Sequence, residues 1–149
     1  MKPSDACLAL IRESEGCKLK AYRCPAGKWT IGWGHTSPEI GPGLKWDQAK
    51  ADAVLLQDAD RHWAAIAGVV GKCTQGQCDA LTDFAFNLGP GALKGSTLLA
   101  KHQAGDYKGA AAEFKKWVHA RVDGRMIVLP GLVKRRAKEV ALYVKGTTT

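Results

Sequence analysis

A chain of 149 residues with 46% hydrophobic and 24% charged residues has the profile of one soluble globular domain, which excludes a disordered or fibrous protein. Its longest apolar run, over 64–70, falls far short of the roughly 20 residues a membrane-spanning helix needs, and nothing near Met1 reads as a secretory signal. The net charge of +8 is lopsided: residues 1–107 hold 12 Lys/Arg against 11 Asp/Glu, whereas residues 108–149 hold 10 against 3.

Ser4 is placed to cap a first helix whose apolar face carries Cys7, Leu8, Leu10 and Ile11, and Gly16 is its natural stop, leaving Glu15 at the last turn. From 20 to 36 the pattern changes to aromatic and β-branched residues, with Trp29, Ile31 and Trp33 alternating against Thr30, Gly32 and Gly34, and a Pro25-Ala26-Gly27 turn between two strands. A Pro/Gly-rich loop over 37–43 leads to a long helix from about Trp46, where Leu55, Ala59, Trp63, Ile66 and Val70 recur at three- and four-residue steps. The remainder is expected to be helical over 77–88, 96–103, 106–119 and 132–145, broken at Gly89-Pro90-Gly91, Gly95-Ser96, Gly105-Asp106 and Pro130-Gly131. The expected fold class is α+β and mostly helical. A small sheet lobe with its connecting helix covers about 15–60, and an all-helical lobe covers about 72–149 plus the first helix, the two forming one domain over 1–149. The cleft between two such lobes is the expected ligand site. The only low-complexity stretch is the threonine tail at 147–149.

Five cysteines, Cys7, Cys17, Cys24, Cys73 and Cys78, cannot all pair within the chain, so at least one thiol stays free. Cys73 and Cys78 enclose four residues, but no second Cys/His pair at matching spacing completes a zinc site, and no metal is expected. The last helix carries Lys134, Arg135, Arg136, Lys138 and Lys145, which read together as a basic surface suited to polyanions or anionic lipid.

The stretch from Glu15 to Thr36 carries the chemistry. A carboxyl at the negative end of a helix dipole is biased toward its protonated form. A protonated carboxylic acid is what glycosidic cleavage needs on one side of the bond, with a second group on the other side to activate water or stabilise the sugar cation. Glu15, eight residues, Cys24, five residues and Thr30, flanked by Glu15-Gly16, Tyr22 and Trp29-Thr30-Ile31-Gly32-Trp33-Gly34-His35-Thr36, resembles the signature of the T4-type phage lysozymes, glycoside hydrolase family 24. Phe84-Ala85-Phe86-Asn87-Leu88-Gly89 and Leu129-Pro130-Gly131-Leu132-Val133-Lys134-Arg135-Arg136 resemble segments of that family's helical lobe, in the same order.

The resemblance implies a lysozyme-like fold and a cofactor-free muramidase that cuts peptidoglycan between N-acetylmuramic acid and N-acetylglucosamine, with inversion at the sugar. Glu15 would be the general acid, Cys24 would stand where many members carry Asp, and Thr30 would hold water or sugar on the opposite face. A thiol of ordinary pKa ~8.5 is mostly neutral at pH 7, so base, nucleophile and water-holder all stay open for Cys24. His35 is expected to brace the sheet, and Arg136 or its neighbour Arg135 to reach Glu15. Asn87, Ser96 and Thr97 are the candidates for sugar hydrogen bonds, with the helix-capping alternative open for Ser96, and Phe84, Phe86 and Trp117 are expected in the core. A family product of this kind would be a monomer that accumulates in the host cytoplasm and meets the wall only after a separate holin opens the membrane. Two rivals remain: a Cys24–His35 peptidase or amidase, and a nucleic-acid binder, for which no motif is present.

Overall fold

The N-terminal helix forms because Ser4 satisfies its first turn twice over. Its hydroxyl accepts from the Ala6 backbone N–H at 3.3 Å, while Ser4 itself donates to Asp79 through N–H at 2.8 Å and Oγ at 2.5 Å. In the computed structural model, which describes residues 1–146, this helix (α1, Asp5–Glu15) is pinned by those bonds to a central helix of the larger lobe. Gly16 ends it by returning its N–H to Arg12 O.

Three short strands follow, β1 (Lys18–Arg23), β2 (Trp29–Gly32) and β3 (His35–Thr36), paired antiparallel in the order β1-β2-β3. Their core is small: Ala21, Ile31 and Ile40, with Trp29, Leu44 and Trp46 packed against it. Asp47 caps the long connecting helix α2 (Gln48–Val70), accepting from Lys50 N–H at 2.8 Å. Helix α3 (Gln75–Leu88) opens on a reciprocal capping box between Thr74 and Gln77. Then come α4 (Pro90–Lys94), α5 (Thr97–Gln103), α6 (Tyr107–Glu113) with a 3-10 turn at Phe114–Lys116, the hairpin strands β4 (His119–Val122) and β5 (Arg125–Val128), and α7 (Pro130–Val144). The main core surrounds α3: Phe84, Phe114 and Tyr143 are wholly buried with Leu81, Leu93 and Leu98, and the Phe84 and Phe114 rings meet edge-on at 5.9 Å.

The architecture is the expected α+β, mostly helical one, with three corrections. The second lobe is not all helical, because the helix expected over 106–119 stops at Glu113 and a hairpin follows. Asp123-Gly124 makes its turn, both residues having positive φ (49° and 79°), as a two-residue hairpin loop requires. The Gly89-Pro90-Gly91 break nucleates the short helix α4, with Pro90 in its first turn where a missing N–H costs nothing. Only part of the basic stripe of the last helix is surface: Lys134 and Lys145 are exposed, whereas Arg135 and Arg136 are 5% and 1% exposed, on the same face as the buried Glu139 and Tyr143. The threonine tail at 147–149 lies outside the described residues. No helix among the described residues is long and apolar enough to cross a membrane.

Candidate active site

Glu15 is the last residue of α1, so its side chain leaves the helix at the edge of a cleft of about 720 Å³. Glu13, Glu15, Pro25, Asn87, Leu129, Arg135 and Lys138 are among the residues that line it. Arg135 donates to Glu15 Oε2 through Nη1 at 2.5 Å, and clasps Asp83 with Nε at 2.9 Å and Nη2 at 2.8 Å. One guanidinium thus fixes Glu15 against the buried wall of the helical lobe. The opposite side of Glu15 is closed by backbone: a Cβ built on Gly34, whose φ is +83°, would lie 2.7 Å from Glu15 Oε1. A side chain there would be strained and would push Glu15 aside.

Cys24 sits at the mouth of the β1–β2 hairpin, where its N–H donates to Lys28 O at 2.8 Å and its carbonyl accepts from Gly27 N–H at 2.8 Å. Burial raises its thiol pKa, but hydrogen bonds from the backbone of Lys28 and Ala26 and from the Thr30 side chain outweigh it, and the thiol is held below its ordinary value. Thr30, 4% exposed in β2, also donates to Lys28 O at 3.2 Å.

His35 is committed at both ring nitrogens, Nδ1 to Asp58 Oδ2 at 2.7 Å and Nε2 to Ser37 Oγ at 3.2 Å. Asp58 in turn accepts from Arg61 at 2.8 Å. The effect is to tie β3 to α2, and a ring so engaged is not free to serve Cys24 as a base. Burial raises the Asp58 pKa, yet its hydrogen bonds to His35 and Arg61 prevail and hold it below the usual carboxylate value.

The other candidates separate. Asn87 lines the Glu15 cleft, but its Oδ1 accepts from Arg136 Nη2 at 2.7 Å, so the amide nitrogen is the end left for a ligand. Arg136 does not reach Glu15; it donates to Asn87 and to Glu139 Oε2 at 3.0 Å, and Arg135 takes the place expected for it. The expectation that Arg136 supports Glu15 directly is corrected, because adjacent positions on a helix point about 100° apart. Ser96 is also corrected: it is 7% exposed, and its hydroxyl donates to Leu93 O at 2.6 Å and accepts from Leu99 N–H at 3.0 Å, a helix cap with nothing left for sugar. Thr97 is exposed but lines a separate pocket of about 520 Å³ with Leu88, Glu113, Lys116, Trp117, His119 and Met126. Phe84 is core, and Trp117 meets it edge-on at 5.3 Å.

Sequence reasoning missed Asp83 and the cradle formed by Gly34. A lone buried acid has no sequence signature, although Asp83 one step before Phe84 on the apolar face of α3 was a visible anomaly. All five cysteines are free thiols. Among the described residues no group of three or more His, Cys, Asp or Glu is placed to hold a metal ion.

Residues 12–139 match the phage lysozyme family. The chain belongs to that family. It is 44% identical over 144 residues to the endolysin of Acyrthosiphon pisum secondary endosymbiont phage 1, covering 96% of this chain and 98% of that one. It is 40% identical over 149 residues to the endolysin of Bacillus phage B103, but spans only 55% of that longer protein. The muramidase domain of SpmX from Asticaccaulis excentricus superposes with a TM-score of 0.88 at 35% identity, over 96% of this chain and 97% of the other. The SpmX muramidase domain has the same fold as this chain, and the two phage relatives are both named endolysins.

Proposed function

We propose that this phage lysozyme is an endolysin that hydrolyses the β-1,4 bond between N-acetylmuramic acid and N-acetylglucosamine in bacterial peptidoglycan. The observation that carries the reading is the placement of Glu15: a carboxyl at a helix end, braced by Arg135 on one side and by the Gly34 backbone on the other, opening into the cleft.

In this reading Glu15 protonates the leaving oxygen. Cys24, with its thiol lowered by Lys28, Ala26 and Thr30 after burial is overcome, acts as the base that takes a proton from water on the other face of the sugar. Thr30 orients the sulfur and the water. Water oxygen bonds to the anomeric carbon from that face and inverts it as the glycosidic C–O bond breaks; the proton lost by the water passes to sulfur, and the leaving oxygen receives the proton of Glu15. Asn87 offers its amide nitrogen to the sugar, while His35 and Arg136 support the site indirectly, through Asp58 and Asn87.

The wall is the partner, met by a single copy of the chain without cofactor. The net charge of +8 favours approach to its anionic polymers. The route we propose runs from the host cytoplasm, through a membrane opened by a separate holin, to the wall in the periplasm. Exposed Val133, Lys134 and Val144 on α7, with Lys145 just after it, support an accessory contact with anionic outer-membrane lipid, with the buried Arg135 and Arg136 excluded from it.

The test is incubation of the purified protein with peptidoglycan followed by mass analysis. New reducing N-acetylmuramic acid ends are expected. Release of peptide termini without reducing ends would replace the muramidase by a peptidase or amidase.

A further inference from the structure

The ions behind Glu15 form a chain that runs from the cleft into the core. Arg135 holds Glu15 through one nitrogen and Asp83 through two. Asp83 is wholly buried in the middle of α3, where a carboxylate is expensive unless paired. Behind it lies Glu139, also wholly buried, whose carboxyl hydrogen-bonds Asp83. Burial first, and then the Asp83 carboxylate, push Glu139 well above the ordinary carboxyl range against the pull of Arg136 and Arg135. Glu139 also accepts from Arg136 Nη2 at 3.0 Å. Its Oε1 lies 2.6 Å from Arg136 Nε, yet outside hydrogen-bonding alignment, so this contact is not a formed hydrogen bond. Arg136 thus lies against Glu139, while Arg135 is shared between Asp83 and Glu15.

We propose that Asp83 is a positioning residue for the Glu15 chemistry: by taking two of the Arg135 hydrogen bonds and offsetting its charge, it leaves Arg135 able to orient Glu15 without stripping the acid of its proton. A bare arginine 2.5 Å from a carboxyl favours the ionised form, the wrong state for a general acid. With Asp83 on the far side of the same guanidinium, the field at Glu15 is closer to that of a neutral hydrogen-bond donor. The other groups facing this cluster are few. Cys7 of α1 faces Asp83 and Arg135, with its thiol pushed up mainly by burial and next by Asp83. Tyr22 of β1 feels the charge of Glu15. On the cleft side, Lys138 pairs with Glu13 and so adds little net charge, while Lys134 lines the wall.

This inference rests on Glu15 being the acid, so its test needs one readout that does not depend on catalysis. Asp83→Asn, with Asp83→Ser as a second variant that keeps an oxygen acceptor in less volume, is compared with the parent in two ways. One is the titration of the Glu15 carboxyl followed by carbon NMR; the other is the pH dependence of kcat/KM on soluble peptidoglycan fragments.

Removal of the Asp83 charge is expected to move both the Glu15 titration and the limb of the activity profile that belongs to Glu15 to lower pH by about one unit or more. At neutral pH kcat should fall while KM holds. A shifted Glu15 titration with neither limb of the activity profile moved would uphold the role of Asp83 and reject Glu15 as the acid. If a folded variant shows neither shift, or if neither variant folds, Asp83 is a structural anchor only and the proposal is overturned.

Discussion

Glu15 and Cys24 are held in place on opposite terms. On the helical side Glu15 is fixed from behind by Arg135 and Asp83, which sit in the same interior as Phe84, Phe114 and Tyr143. On the sheet side Cys24 rests on a four-strand-residue β2 and a tight turn, and its environment is made almost entirely of local backbone. A long-range ion chain therefore positions one group, and a hairpin the other. Disturbing the first should spread through the fold, whereas disturbing the second should stay local.

The comparison is broken most severely at the acid. Glu15→Gln keeps the shape and can still hydrogen-bond to Arg135, but has no proton to deliver, and wall hydrolysis should fall by roughly 10²- to 10⁴-fold with the melting temperature nearly unchanged. Initial rates on wall suspensions together with thermal melts check this.

Next is the backbone that closes over Glu15. Gly34→Ala puts a methyl group where the carboxylate oxygen is 2.7 Å away and forces a side chain into positive φ. That conformation alone costs about 1–2 kcal/mol, and kcat should drop by more than the stability loss explains, because Glu15 is displaced.

Asp58 distinguishes support from chemistry. Asp58→Asn removes the charged partner of His35 and Arg61 and should cost about 2–3 kcal/mol of stability at neutral pH, with activity retained wherever the variant is folded. Because hydrogen bonding depresses the folded-state pKa of Asp58 despite burial, its contribution is fully present above the unfolded carboxyl value of ~3.9. It is lost as pH falls through the lower folded value. Acid unfolding of the parent should accordingly show a stability loss below about pH 4 that Asp58→Asn lacks.

The smallest effect is expected at Ser96. Ser96→Ala deletes a helix cap and should lower stability by about 1 kcal/mol, with KM for wall fragments unchanged. A raised KM in a folded variant would restore Ser96 as a sugar ligand.

Local physics was legible in the sequence. Ser4 and Gly16 delimited α1, and so put Glu15 at its end, while Pro25-Ala26-Gly27 marked the turn that carries Cys24. Asp123-Gly124 also announced a hairpin, but the basic, weakly alternating strands around it hid the period. Tertiary burial was less legible. Arg135 and Arg136 look like solvent-facing charges to any pattern based on polarity, and only Asp83, 52 residues away in the chain, explains why one of them is inside. Ser96 and Thr97 are neighbours that composition cannot separate, yet one caps a helix and the other faces a different pocket.

The account turns on a proton donor from the helical wall acting with a base from the sheet turn, and Cys24→Asp tests it most directly through the pH profile of kcat/KM. A carboxylate accepts the same hydrogen bonds as the thiolate and ionises at far lower pH, ~3.9 against ~8.5 unperturbed. Activity should persist, the limb that belongs to residue 24 should move to lower pH while the one that belongs to Glu15 stays, and the product should be inverted. A folded Cys24→Asp variant without activity, or a sugar found attached to Cys24 in the parent, would contradict the account and make the sulfur a nucleophile.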